Sequence, residues 1–463
     1  MLGLKKYKHV YFSGIGGIGM SAMAKILMEN GFKVSGSDRE LTDLTRQLSE
    51  LGAVIYEGQH VENIKDADVL VYSSAITENN PERIEAGHRR IPVIRRAEML
   101  AEMMRLKYCL AVAGTHGKTT TTAMCTAIFR QAGLDPTFLV GGRMLDLKTN
   151  ARAGHGEFFI TEADEYDRSF LTLNPTFALI TNIEADHLDC YADLDDIKNA
   201  FVTFAQKVPF YGAVICCFDD PGVREILPKL KNRIITYGLD NRADFQAAGI
   251  RMEKGLTTFE VIGRGKSTGN VQLIVPGEHN IKNALAAIAL AHEIEIPFPQ
   301  IQNALAAFHG VERRFEVKGL VNETMVIDDY AHHPTEVGTT LSTARKIWPG
   351  RLLAVFQPHL YSRTRDFYKQ FAAQLVTADL IYITAIYPAR EKPLPEITSE
   401  LIVRELSKCG HSAVRYIPER KEVAAEIIRQ VRTGDMVLFM GAGDIWKSSL
   451  EFLELLKNKK RDL

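Results

Sequence analysis

Gly114-Thr115-His116-Gly117-Lys118-Thr119-Thr120 has the residue types and spacing of a phosphate-binding turn. Glycines let backbone N–H groups approach phosphate oxygens, and a helix that starts there adds partial positive charge. Lys118 is spaced to reach the β- and γ-phosphates of a nucleoside triphosphate, and Thr119 to ligate magnesium. The first glycine of the usual G-x-x-x-x-G-K-T pattern would fall at Val112, so the turn is a shortened variant.

Gly14-Ile15-Gly16-Gly17-Ile18-Gly19 matches G-x-G-x-x-G, and Asp38 ends the next apolar run, where a dinucleotide fold places a ribose-binding acid. The pattern fits the pyrophosphate of NAD, FAD or a nucleotide sugar, so a nicotinamide-dependent dehydrogenase stands as one alternative. Two further apolar runs end in acid: Glu162-Ala163-Asp164-Glu165, and Thr181-Asn182-Ile183-Glu184-Ala185-Asp186-His187. Carboxylates beside a phosphate turn suit Mg²⁺, and His187 would ligate a second cation. Downstream lie Asp328-Asp329-Tyr330-Ala331-His332-His333-Pro334 and Gln357-Pro358-His359-Leu360-Tyr361-Ser362-Arg363. Their arginine suits a carboxylate or phosphate. The paired histidines point opposite ways in an extended segment and lack a nearby thiolate, which argues against zinc. Arg313 and Arg314 fall at a junction between segments, where an arginine can close on a γ-phosphate.

These motifs need strands that end where they begin. HVYFSG, KVSGSD and VLVYSSA alternate with helical patterns in a first segment that ends near Lys107. YCLAVAG, EFFITEAD, PTFALITNI and GAVICCF do the same in a second, which adds an antiparallel stretch over 243–275 and ends in the amphipathic helix of GEHNIKNALAAIALAHEIEI. MVIDDY, RLLAVFQ, LIYITAI and MVLFMGAG form a third from about Gly310. Strand and helix signals in alternation predict parallel α/β sheets. The 463 residues suit three such units. The balance of 56 basic and 57 acidic residues leaves no basic footprint for nucleic acid. No apolar run is long enough for a membrane span. Six cysteines without a C-x-x-C pair suit a reducing cytoplasm.

Taken in order, the glycine loop, GTHGKTTT, EADEYDRSF, TNIEADHLD, GEHNIKNA, GVERRFE, DDYAHHPTEV, QPHLYSRTRDF and GAGD resemble the Mur ligases, ATP-dependent amide-bond formers of peptidoglycan synthesis. The resemblance implies three domains: a Rossmann-like UDP-sugar-binding domain over 1–107, a P-loop ATPase-like domain over 108–309 with a mostly parallel sheet, and a Rossmann-like domain over 310–463 for the amino acid. It implies that L-alanine is joined to UDP-N-acetylmuramate through an acyl phosphate, with ATP and Mg²⁺ (two ions, with Mn²⁺ as a substitute). The alternative within the family, addition of a murein tripeptide to the same sugar, is disfavoured by Tyr330, by the uninterrupted Ser169–Thr172 run and by Ala185 before Asp186.

The implied roles follow position by position. Gly14, Ile15, Gly16, Gly17, Ile18 and Gly19, with Asp38, Ser73 and Ser74, take the UDP-sugar. Gly114 to Thr120, Asn283, Arg314 and Asp329 take ATP. Thr119, Glu162 and His187 hold metal. Tyr330, His332, His359 and Arg363 surround the alanine, and Lys118, Glu162, His187, Arg314, His332 and His359 form the catalytic set. Leu360 stands where some relatives have arginine, and an ungapped reading puts Phe201 or Val202 where sister ligases carry a modified lysine. A cytoplasmic monomer or weak homodimer is expected.

Overall fold

The computed structural model describes residues 6–105, 107–186, 190–253, 255–389 and 391–461. It is a three-domain α/β chain with one sheet per domain. The first sheet holds β1 (His9–Ser13), β2 (Lys33–Asp38), β3 (Val54–Glu57), β4 (Val69–Tyr72) and β5 (Val93–Arg95) in the order β3-β2-β1-β4-β5. All its pairings are parallel. The chain reverses direction of winding at β1, so the glycine loop that follows β1 opens at the switch point. Helices α1 (Ile18–Glu29), α2 (Asp43–Glu50), α3 (Pro81–His88) and α4 (Arg96–Met104) belong to this domain.

The second sheet holds β6 (Tyr108–Ala113), β7 (Thr137–Met144), β8 (Thr149–Arg152), β9 (Phe158–Glu162), β10 (Phe177–Ile180), β11 (Ala213–Cys217), β12 (Ile234–Gly238), β13 (Phe245–Glu253), β14 (Leu256–Gly263) and β15 (Lys266–Leu273). Its order is β15-β14-β13-β12-β11-β10-β6-β9-β7-β8. β6 lies between β9 and β10, parallel to both, and feeds helix α5 (Lys118–Gln131). β6, β10 and β11 are apolar and almost wholly buried, the signature of parallel strands covered on both faces. Two-residue connections join β13, β14 and β15, which only antiparallel pairing permits. The helix Glu278–Glu293 is not the last of this domain, as the sequence suggested: Phe298–Ala306 follows and packs on α5 and β15.

The third sheet holds β16 (Glu316–Val321), β17 (Thr324–Asp329), β18 (Leu352–Phe356), β19 (Leu380–Ile383), β20 (Val414–Tyr416) and β21 (Met436–Met440), ordered β16-β17-β21-β18-β19-β20. Only β16 is antiparallel to its neighbour. By contact density the chain divides into two compact units, one formed by the first two domains up to His309 and one mostly by Gly310–Leu463. An apolar cluster from Val10 to Leu230 runs through the first unit, and two clusters cover the faces of the third sheet. Cys109, Cys125, Cys216 and Cys217 are buried, Cys190 is half-buried and Cys409 is exposed. Burial pushes the Cys217 thiol up to about 11.

Behind the first sheet the Glu82 carboxylate is fully buried. It accepts hydrogen bonds from Tyr11 Oη (2.7 Å), Ser13 Oγ (2.6 Å), Ser37 Oγ (2.8 Å) and Asn63 Nδ2 (3.1 Å). Burial, reinforced by Glu82, pushes the Tyr11 phenol well above its ordinary range. Ser13 ends β1, from which the glycine loop leaves, and the Ser37 carbonyl accepts the Gly14 and Ile15 amides, so the network braces the loop. Glu82→Ala strands these donors and should lower stability by about 3 kcal/mol, with a smaller loss in Glu82→Gln; urea denaturation of the three proteins checks this.

Candidate nucleotide and substrate sites

The turn after β6 is shaped by two glycines with left-handed backbones. A Cβ on Gly114 (φ +136°) would lie 2.0 Å from Thr181 Oγ1, and one on Gly117 (φ +82°) 2.8 Å from Asn283 Oδ1. The end of β10 holds the turn. Thr115 N donates to Asn182 O (3.1 Å), His116 N to Asn182 Oδ1 (2.7 Å), and Thr181 Oγ1 and Asn182 Nδ2 both donate to His116 O (2.6 and 3.0 Å). Glu184 N donates to Thr115 Oγ1 (2.9 Å), and His116 Nε2 lies 3.4 Å from Glu184 Oε2. Thr120 continues α5. Asn283 is buried under the turn, accepting from Thr121 Oγ1 (3.2 Å) and donating to Asn280 Oδ1 (3.2 Å).

Lys118 begins α5 and curls back over the turn. Its ammonium donates to Gly114 O (2.6 Å), Thr115 O (3.2 Å) and both oxygens of buried Glu165 (3.0 and 2.8 Å). Burial pulls the Lys118 ammonium down, but Glu165, Asp164 and Glu162 outweigh it and hold the group above its ordinary range. Glu165 is a functional candidate that the sequence motifs did not single out. Its signal was the acidic strand end, but only the fold shows which carboxylate meets the lysine.

Beside the lysine, Thr119 Oγ1 lies 3.1 Å from Glu162 Oε2, and Gly141 N donates to Glu162 Oε1. A Cβ on Gly141 would fall 2.7 Å from that oxygen. Thr119 and Glu162 thus bring together two hard oxygen donors of the kind Mg²⁺ prefers. His187, expected as a further ligand, lies outside the described residues.

In the first domain the glycine loop spends its leading amides internally. Gly14 N and Ile15 N donate to Ser37 O (2.9 and 3.0 Å), and Gly16 N to Asp38 Oδ2 (2.7 Å). The Asp38 carboxylate therefore braces the loop itself. Ile15 is fully buried, so it contributes to the core and not a ligand surface. Past Gly17, the N-cap, Ile18 and Gly19 open α1. Ser73 Oγ would lie 2.9 Å from a Cβ on Gly14, and Ser74 is exposed on the turn beyond β4. Against Gly19 lies the guanidinium of Arg96, unnamed by any motif, 2.8 Å from where a Cβ would stand.

The C-terminal unit gathers its own set of residues. The Tyr330 ring has the guanidinium carbons of Arg313 and Arg314 at 4.9 and 5.1 Å and meets His332 edge-on at 5.2 Å. His332 lies 5.9 Å from His359, which stacks on Tyr387 (5.9 Å, 13°). His332 Nδ1 is 2.9 Å from Tyr330 O and 3.2 Å from Glu336 Oε2, and Arg314 Nη1 is 3.9 Å from Glu336 Oε1. Arg363 is buried in the first turn of the helix Tyr361–Leu375. Tyr387 and Glu336 were not anticipated: one lies in an irregular segment, the other reads as an ordinary first-turn helix acid. The Asp329 oxygens accept from Ala331 N (2.7 Å) and Phe315 N (2.8 Å).

Asp328 is fully buried, with Arg313 Nε at 3.4 Å. Burial pushes Asp328 up to about 7, against the pull of Arg313, and Asp329 up to about 6, against Arg314. In the unfolded chain such carboxyls titrate near about 4. The folded form therefore keeps protons that the unfolded form has released, and stability falls as pH rises from about 4 to about 7. Asp328→Asn should flatten that fall. Melting temperatures of both proteins across pH 4.5–8 test it, and parallel curves would exclude Asp328.

Residues 9–108 match the Mur ligase family catalytic domain, 112–291 the Mur ligase middle domain, and 313–443 the Mur ligase glutamate ligase domain. A "UDP-N-acetylmuramate--L-alanine ligase" of Geotalea uraniireducens is 48% identical over 98% of this chain and 99% of its own. The protein of that name in Geobacter sulfurreducens is also 48% identical, with the same coverage. Among solved structures, the UDP-N-acetylmuramate-alanine ligase MurC of Thermotoga maritima aligns with a TM-score of 0.84 at 30% identity over 98% of this chain and 100% of its own. The murein peptide ligase mpl of Psychrobacter arcticus aligns at 0.74 and 27% identity over 97% of this chain and 99% of its own. With three family domains in sequence order and relatives that span its length, the chain belongs to the Mur ligase family.

Proposed function

We propose that this chain is an ATP-dependent ligase that joins L-alanine to UDP-N-acetylmuramate in peptidoglycan precursor synthesis, releasing ADP and phosphate. The observation that carries the reading is the phosphate turn. Its lysine lies against a carboxylate, and beside it Thr119 and Glu162 pair their oxygens. Full-length relatives of the L-alanine ligase name support the substrate choice.

A carboxylate and an amine do not condense in water, because the carboxylate is a poor electrophile with a hard leaving group. The muramoyl carboxylate attacks the γ-phosphate of ATP, the Pγ–O bond to the β-phosphate breaks and ADP leaves, and the resulting acyl phosphate carries a good leaving group. The neutral amine of alanine attacks that carbonyl, and the tetrahedral species gives up an N–H proton, taken up by the departing phosphate or solvent, and expels phosphate to leave the amide. Lys118 binds the β- and γ-phosphates and offsets the charge that crowds there. Thr119 and Glu162 would hold Mg²⁺, which supplies charge neutralisation when bound. Residues 1–107 take the UDP-sugar, 108–309 take ATP, and 310–463 take the amino acid through Tyr330, His332, His359 and Arg363. No helix among the described residues is long and apolar enough to cross a membrane, which is in keeping with work on a cytoplasmic precursor.

ADP release that requires both UDP-N-acetylmuramate and L-alanine tests the reading; release with the murein tripeptide in place of alanine would overturn the substrate choice. Lys118→Ala should lower kcat by roughly a thousandfold or more while the UDP-sugar still binds, measured by calorimetry. Equal loss of both would argue against separate sites. Glu162→Ala should shift the magnesium titration of activity to several-fold higher concentration, and an unmoved titration would remove Glu162 from the metal site.

A further inference from the structure

Gly441-Ala442-Gly443-Asp444, the loop that follows β21, takes no part in the proposed mechanism, yet it is tied to the residues assigned to the amino acid. Gly441 N donates to the carbonyl of Asp329, just before Tyr330 (3.1 Å), and Gly441 O accepts from Arg313 Nη2. Gln357, two residues before His359, donates from Nε2 to Asp444 Oδ1 (3.0 Å) and accepts from Ile445 N (3.1 Å). Gly443 abuts Tyr387: a Cβ on it would fall 2.6 Å from Tyr387 Cγ, so only glycine lets the ring lie there.

Tyr387 is joined in turn to the His359 segment by backbone and by ring. Tyr387 N donates to Pro358 O (2.8 Å), and Leu360 N donates to Tyr387 O (3.0 Å). The phenol ring lies within 13° of parallel to the His359 imidazole. Leu360 has φ +68°, a backbone that L side chains rarely adopt, and this strained residue separates His359 from Arg363. Tyr387 O holds its N–H, while Thr364 N (3.1 Å) and Oγ1 (2.8 Å) hold its carbonyl. Glu391 Oε2 accepts from Ser362 N (3.0 Å), so a residue close to Tyr387 braces the first turn of the helix that carries Arg363.

We propose that Tyr387 is a positioning residue for the incoming amino acid. Its ring, wedged against Gly443, fixes the His359 imidazole, and its carbonyl holds the bend that aims His359 and Arg363 at one ligand. This rests on the assignment of those two residues to alanine. Alanine offers few groups to hold, so misalignment of either residue falls on its affinity and not on that of ATP or the UDP-sugar.

The test measures KM for L-alanine, ATP and UDP-N-acetylmuramate separately on the full-length protein. Tyr387→Leu should raise KM for L-alanine about tenfold, leave the other two within about twofold and keep the melting temperature. Tyr387→Phe retains the ring and should restore the unsubstituted values. Gly443→Ala displaces the ring and should copy the leucine variant. Combined with His359→Ala, Tyr387→Leu should add nothing to the KM for L-alanine, because it acts through the imidazole. No rise, an equal rise in all three KM values, or additive effects would each overturn the proposal. An unchanged KM for L-alanine in His359→Ala would instead overturn the assignment of His359 to the amino acid. The contact itself is read separately by ¹³C-histidine NMR: Tyr387→Leu should shift the His359 resonance, and an unmoved resonance would overturn the positioning role.

Discussion

The pair formed by Lys118 and Glu165 is the interaction on which the ATP end of the molecule depends. An ammonium that curls over a tight turn loses water on most sides, and without a counter-charge it would tend to lose its proton. Glu165 keeps it charged, and the carbonyls of Gly114 and Thr115 fix its direction. The cation is therefore aimed before any phosphate arrives. In the proposed mechanism a polyphosphate substitutes one anion for another at that ammonium. The surrounding construction serves the same end. Two glycines without room for a Cβ set the turn, and the tip of β10 ties it through Thr181 and Asn182.

The same logic runs through the first domain with a different outcome for its acid. A dehydrogenase would aim the carboxylate at the end of β2 toward ribose hydroxyls. Here Asp38 accepts the Gly16 amide and the following Arg39 amide, so it stiffens the loop. The nicotinamide alternative is set aside by the Mur ligase family models that match all three segments. The placement of Asp38 also shows why a glycine fingerprint says so little alone: the glycines mark a close approach of backbone, while the neighbouring side chains decide what approaches.

Much of the architecture was legible because continuous apolar runs such as YCLAVA and MVLFM, short and bounded by glycine or polar residues, read as strands covered on both sides. What escaped was local and polar. β3 and β5 are too short to show periodicity, and β16 reads as the polar, glycine-broken run EVKGLV. Lys118, Thr119 and Glu162 announced themselves by type and spacing. Arg96 and Tyr387 did not, because each is brought to its neighbours by the fold from a stretch with no pattern of its own, and Glu165 stood in an acidic strand end from which only the fold singles it out. Glu165 depends on a 3-10 turn in which Asp167 and Arg168 adopt left-handed backbones, a conformation that the letters EYDRS do not advertise.

The distribution of thiols has a practical consequence. Four of the six sulfurs are sealed within β6, α5 and β11, where burial keeps them as unreactive neutral groups. Cys409 stands in the open at the end of the helix Glu400–Lys408. A maleimide dye added to the native chain would settle first at that position, on the unit that carries Tyr330 and His359. The C-terminal domain thus comes with its own attachment point for a fluorescent reporter, and no engineered cysteine is required to follow it during turnover.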